Sequence, residues 1–269
     1  MALAYFCYIG CSILMKEVCR AVHQNPARSG RQSVAPTRVD LRFLPAGLHE
    51  RPKILQQLLQ KEIDTVEEYV QLEGQSPLCR ETYQALLLGY GLCSEATVGL
   101  RARRIPLVVP RAHDCITILL GSKERHQKLF AENSANYWYS SGWIERMLPP
   151  GPEREKQLSE KFLQRYGQEN LSFLLESESH WQERYCQATL IISQADGVEQ
   201  NKAYRAYTQN CASHLGWEYR EVSSDLTMLT DLLKGAWDPE RFLIVQPGSE
   251  IIPSFNDQII TTKECTGNV

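Results

Sequence analysis

The feature that most constrains this chain is a pattern repeated four times in its N-terminal half: a short apolar run, a break at Gly or Pro, and then at once a Cys or His. The runs are Leu3 to Ile9 before Gly10-Cys11, Arg38 to Leu44 before Pro45-Ala46-Gly47-Leu48-His49, Ala85 to Tyr90 before Gly91-Leu92-Cys93, and Ile105 to Val109 before Pro110-Arg111-Ala112-His113-Asp114-Cys115. Each run is brief and closed by turn formers, which predicts a strand rather than a helix. Helices are predicted between and after them: Ile13 to His23, Pro52 to Leu72 with proline in its first turn, a brief one reaching Leu100, and Ile116 to Leu120. Alternation of this kind builds parallel βαβ units, which bring every strand's carboxyl end to one edge of the sheet. Ligands of open α/β sheets gather outside that edge. Cys11, His49, Cys93 and the His113/Asp114/Cys115 group should therefore meet on one rim.

The remainder continues the βα pattern. A helix to Phe130 precedes the aromatic strand Asn136 to Tyr139, which ends in Ser140-Ser141-Gly142-Trp143. Pro149-Pro150-Gly151-Pro152 breaks the chain, and a long polar helical stretch runs from Glu153 to Tyr185. Strands Ala188 to Ser193, Trp217 to Val222, Phe242 to Val245 and Gln258 to Thr262 alternate with helices to Leu215 and from Leu226 to Gly235. The expected fold class is α/β: two Rossmann-like βα-repeat halves with mainly parallel sheets and a ligand cleft at the strand carboxyl ends. At 269 residues two domains are the default. The expected boundary places an N-terminal α/β domain at 1–150, and a bridging helix with a smaller α/β domain at 151–269. The polar connection Gln24 to Pro36 is expected at the surface.

Composition narrows the function. A formal net charge of -3 gives no electrostatic case for nucleic acid or an anionic membrane. Nine cysteines, an odd number in a chain too large to need staples, read as reduced thiols in a cytoplasmic protein. The apolar stretch from Leu3 to Met15 has no basic residues before it and is too short to span a bilayer, so it is expected as a buried strand and helix. No Walker loop, G-x-G-x-x-G or G-x-S-x-G element is present.

Thiols and imidazoles together select zinc, iron or copper over magnesium or calcium. Cys11, Cys93 and Cys115 are the expected ligands of a zinc ion or an iron–sulfur cluster. His49 or His113 would be a fourth ligand or the proton-transfer group, and Asp114 would orient it. Arg111 stands ready for an anionic small-molecule substrate, and Tyr137 with Trp143 would wall a flat ligand. Each residue also has a plainer use. The cysteines are small core residues, the histidines cap or pack, Asp114 is a helix N-cap, Arg111 is solvated, and the aromatic segment is a core strand. Cys7, Cys19, Cys79, Cys186, Cys211 and Cys265 are assigned to packing or surface. Three functions follow: a metal- or iron–sulfur-dependent enzyme, a metal or cofactor carrier without turnover, and a metal-free thiol enzyme using Cys115 with His113 as base. The last ranks lowest because adjacent residues rarely point the same way.

Gly10-Cys11-Ser12-Ile13-Leu14, Leu44 to His49, Tyr90 to Cys93, Pro110 to Cys115, Leu120-Gly121-Ser122 and the Tyr137 to Trp143 segment, taken in this order, resemble the domain-of-unknown-function family sixteen-thirty-eight. The likeness extends to Gly216-Trp217 and to Trp237-Asp238 with Arg241-Phe242-Leu243. The family carries no settled activity. The resemblance implies one-carbon or cofactor metabolism, with a corrinoid or methyltransferase system as partner, although the D-x-H-x-x-G signature of a corrinoid-binding domain is missing here.

Overall fold

The computed structural model describes residues 4–23, 37–73 and 82–265; the 24–36 connection and Cys79 lie outside the described residues. In chain order the elements begin with β1 (Ala4–Cys11), α1 (Met15–His23), β2 (Thr37–Leu44), α2 (Pro52–Glu73), β3 (Ala85–Gly89), β4 (Arg101–Ala102), β5 (Leu107–Pro110) and α3 (Cys115–Leu120). They continue with α4 (Lys123–Glu132), β6 (Asn136–Ser140), α5 (Ser141–Arg146), α6 (Pro152–Tyr166), α7 (Leu171–Ser179), β7 (Gln187–Ile192), α8 (Val198–Leu215) and β8 (Glu218–Ser223). The last are α9 (Thr227–Lys234), β9 (Phe242–Val245), β10 (Ser249–Pro253) and β11 (Ile260–Glu264). The protein is mixed α/β with a mainly parallel central sheet.

The chain divides into two compact units. One joins the residues up to Arg125 with those from Asp225 onward, and the other is His126–Ser224. This differs from the boundary at 150 read from the sequence. The cause is β9, which pairs antiparallel with β5 through Leu107 to Val245 and Val109 to Leu243. Every residue of β5 is buried, and Phe242, Leu243 and Val245 cover its open side. An antiparallel neighbour needs no crossover helix, so β9 to β11 close the first unit instead of extending the second.

The first unit's sheet has the order β2-β1-β3-β5-β9, and its first four strands run parallel. One face carries Cys7, Ile9, Leu86, Leu88, Leu107 and Val109, packed with the α2 stripe Leu55, Leu59, Ile63 and Val66. Their three-to-four-residue spacing is the helical period read from the sequence. Glu67, next on that helix and 3% exposed, accepts the backbone N–H groups of Arg103, Arg104 and Ile105 through Oε1 at 3.2, 2.9 and 2.9 Å. It thereby pins the entry to β5. The other face carries Phe6, whose ring lies 5.2 Å from that of Trp237, and Tyr8, whose ring lies 5.7 Å from Phe43. Strands β4, β10 and β11 form a separate small antiparallel sheet.

Two expected helices differ. The segment after β3 is a run of turns with no α-helix to Leu100. The long stretch from Glu153 is broken at Gly167, which has φ 77° and follows the last residue of α6. The second unit holds the parallel sheet β6-β7-β8 around a core of Tyr139, Ala188, Leu190, Tyr204, Cys211, Ala212 and Trp217.

Candidate functional site at the carboxyl ends of β1, β3 and β5

Strand order reverses at β1, which has β2 on one side and β3 on the other, and all three run parallel. Cys11 is the last residue of β1, opposite Leu44, and is partly buried against the α2-facing core. After β3 the chain runs alongside the loop that follows β5: Leu92 N–H donates to the Ala112 carbonyl at 2.8 Å and Cys93 N–H to that of His113 at 2.9 Å. Gly91 permits this approach, because a Cβ there would collide with the Ala112 carbonyl. Helix α3 then starts on Cys115. Three cysteines from three strand ends are thus gathered at one edge.

The chain takes an unusual path through Cys93. Cys93, Ser94 and Glu95 have φ of 45°, 56° and 66°, a left-handed turn made without glycine. L-residues resist this region by roughly 1–2 kcal/mol each. Such strain persists where the surroundings fix the backbone, and it concentrates at functional sites. Here the bonds to Ala112 and His113 hold the near end. The Thr97 hydroxyl, donating to the Gly91 carbonyl at 3.1 Å, ties the turn back on itself.

The three thiols feel one another. Burial first, then the Asp114 carboxylate and Cys11, push the Cys93 thiol up to about 12, against a backbone hydrogen bond at Gly91 that favours the thiolate. Burial, Asp114, Cys93 and Cys11 together hold the Cys115 thiol well above its ordinary range. None of the described cysteines is in a disulfide. With its pKa near 12, Cys93 should react with iodoacetamide at pH 8 roughly a hundredfold more slowly than an ordinary thiol, after allowing for the greater nucleophilicity of a more basic thiolate. The rate should climb tenfold per pH unit beyond pH 10 in the protein without added metal. A plateau near pH 9, read by peptide mapping, would contradict the raised value.

Two phenols complete the edge. Tyr8, 0% exposed, lies over the backbones of Gly10 and Gly89, where a Cβ on either glycine would collide with its ring and hydroxyl. Its hydroxyl is held protonated by burial and by Cys11, Glu17 and Cys19. Tyr90, 3% exposed, is likewise held protonated by burial and by Cys11, Tyr8, Cys93 and Cys115. Neither hydroxyl has a hydrogen-bond partner. The sequence reading overlooked both tyrosines. The signal was available in Tyr8-x-Gly10 and Gly89-Tyr90-Gly91, where aromatic residues stand beside glycine at the ends of aliphatic strands.

The other expected site residues are distributed as follows. Asp114 caps α3: its Oδ1 accepts from Thr117 N–H at 2.9 Å and from the Thr117 hydroxyl at 3.0 Å. His113 is exposed on the same loop. His49 is half-buried in the single helical turn after β2. Arg111 is 9% exposed and turns to the protein itself, donating to the Pro239 carbonyl at 2.8 Å, to that of Gln258 at 2.9 Å and to that of Ile260. Arg111→Met should therefore lower stability by about 2–4 kcal/mol in denaturant unfolding, since it removes three charge-assisted hydrogen bonds, the one to the Ile260 carbonyl buried. Unchanged stability would return Arg111 to the candidate ligand-binding groups. Tyr137 and Trp143 belong to the second unit. Trp143 Nε1–H donates to the Tyr137 hydroxyl at 3.2 Å, and the Tyr137 ring packs against Tyr139, Trp181, Tyr185 and Trp217 at 5.3, 5.9, 5.4 and 5.8 Å.

The edge is rich in groups that bind soft cations. Among the described residues, however, no three His, Cys, Asp or Glu side chains are already drawn together as a metal cage. No described helix is long and apolar enough to cross a membrane. No curated protein matches the chain, and no solved structure does. The model of the family described as "Protein of unknown function (DUF1638)" matches residues 43–233, a span that holds His49, Cys93, His113 and Cys115 and begins after Tyr8 and Cys11. The chain belongs to the DUF1638 family.

Proposed function

We propose that the protein is a metal-dependent enzyme acting on a small molecule, with Cys11, Cys93 and Cys115 holding a zinc ion or an iron–sulfur cluster at the carboxyl edge of β1, β3 and β5. The convergence of three partly buried thiols where the strand order reverses supports this reading, since that edge is where open α/β sheets bind their ligands. The raised thiol pKa values favour it over unassisted thiol chemistry. A nucleophilic cysteine is activated by a depressed pKa, which these thiols lack, and a bound cation would have to displace their protons. Coordination requires the 90–95 and 112–115 loops to draw the sulfurs in, and the strained left-handed turn at Cys93 is the segment with energy to release.

In this reading the bound metal supplies Lewis acidity or electron transfer. The residues of the chain do the rest. Asp114 fixes the start of α3 and with it Cys115. His113, exposed beside the thiols, exchanges protons with solvent and substrate. The family's implied link to one-carbon or corrinoid chemistry fits a thiolate-held centre and stands on that resemblance alone. The test is reconstitution of the fully reduced full-length chain with cobalt(II). One equivalent bound with intense near-ultraviolet sulfur-to-cobalt absorption is expected, and cobalt bound without that absorption, or not at all at micromolar concentration, would defeat the assignment.

A further inference from the structure

The second unit holds a cleft that the thiol edge does not use. Helices α6 and α7 leave about 220 Å³ between them, with Leu215 from the end of α8 in the wall. Helical spacing builds the other walls. Arg154 and Leu158 stand four residues apart on α6, and Leu175 and Glu178 three apart on α7, so each pair shares a helix face. The ion pair between Arg154 and Glu178, at 3.0 Å, sets the two helices against each other. Leu158 and Leu175 each lie one turn nearer the break at Gly167, which gives the cleft a polar end and an apolar end.

The polar end lacks an acceptor. Arg154 donates through Nη1 to the Leu148 carbonyl at 3.2 Å and through Nη2 to Glu178 at 3.0 Å, while its Nε–H is buried without a partner. A charged donor in that state carries its full desolvation cost. Three carboxylates, Glu155, Glu176 and Glu178, share the lining. Arg154 takes Glu178, and His214 Nε2 takes Glu155 at 2.5 Å; among the described residues Glu176 has no ion pair. A plain carboxylic acid would satisfy the Nε–H but face an acidic wall. A plain amine would suit the wall and leave the Nε–H bare.

We propose that this cleft binds a small apolar α-amino acid as its zwitterion. The ligand carboxylate accepts the Arg154 Nε–H, its ammonium donates to Glu176, and its side chain packs among Leu158, Leu175 and Leu215. The space is below the about 300–1,000 Å³ of pockets for larger ligands, which suits one amino acid and not a nucleotide. Both charges of the ligand answer a group already in the wall, so an analogue missing either leaves a polar group unpaired and is rejected. The site lies within the second unit and does not rest on the metal reading.

The test is a calorimetric titration of the full-length chain with L-leucine. Saturable binding with a dissociation constant on the order of 0.1–1 mM is expected for so small a ligand. 3-Methylbutylamine, without the carboxylate, and 4-methylpentanoate, without the ammonium, should each bind at least about tenfold more weakly. Glu176→Gln should weaken leucine about tenfold and leave 4-methylpentanoate no weaker, a split that general loss of structure does not produce. Leu175→Trp should fill the cleft and abolish leucine binding without lowering the melting temperature, and Leu158→Phe takes its place if that chain does not fold. The assignment is overturned if leucine shows no saturable uptake up to about 10 mM, or if the three compounds bind equally. Wild-type leucine binding by Glu176→Gln, or by a folded cleft-filling variant, overturns it as well.

Discussion

Cys11→Ala, Cys93→Ala and Cys115→Ala should each weaken metal binding about a hundredfold to a thousandfold in the same cobalt or zinc titration. That figure is roughly one ligand's share of the binding free energy of a small thiolate-rich site. The three cysteines terminate or follow three different strands, so a common loss has no explanation in local sequence. Cys19→Ala and Cys265→Ala are the controls, since neither lies at the ends of β1, β3 or β5, and both should keep wild-type stoichiometry. Loss of an unpaired packing cysteine would lower stability and leave metal content unchanged. Melting curves recorded without metal therefore separate a ligand from a core residue. Wild-type stoichiometry in all three edge variants would remove the site.

The second large effect is on stability. Gly89→Ala should destabilise the chain by about 1–3 kcal/mol, the range for forcing extra volume into a packed interior. The new Cβ would meet the Tyr8 ring and hydroxyl, which are fully buried. Without that obstacle a glycine in a strand is normally improved by alanine. In a Tyr8→Ala background the same change should therefore cost under about 0.5 kcal/mol, a coupling measurable by a double-mutant cycle in denaturant. Equal costs in both backgrounds would mean that Tyr8 is not what keeps Gly89 small, and would weaken the placement of its hydroxyl at the strand ends.

Much of the edge was legible in the sequence because its determinants are local. Short apolar runs closed by Gly or Pro define β1, β2, β3 and β5, and parallel topology does the rest, so Cys11, Cys93 and Cys115 could be placed at one edge of the sheet without a structure, although among the described residues no three such side chains are drawn together as a metal cage. What escaped depends on distant partners. The Phe242 to Val245 strand reads equally well in either half, and only the uncovered flank of β5 decides that it joins the first unit. The left-handed turn at Cys93, Ser94 and Glu95 contains no glycine to announce it and is imposed by bonds to Ala112 and His113. Arg111 looked available because its neighbours in sequence are chemical, but its guanidinium is claimed by carbonyls more than a hundred residues away. Asp114 was legible in both roles, and the capping bond to Thr117 is the one the structure displays.

We propose that three thiols at the carboxyl edge of β1, β3 and β5 hold a soft metal. Elemental analysis with a visible absorption spectrum, on full-length protein purified without oxygen or chelators, tests it most directly. Close to one zinc per chain with no colour, or iron with acid-labile sulfide and a broad brown absorbance, is expected. Protein shown to be fully reduced and folded, yet carrying neither, would contradict it.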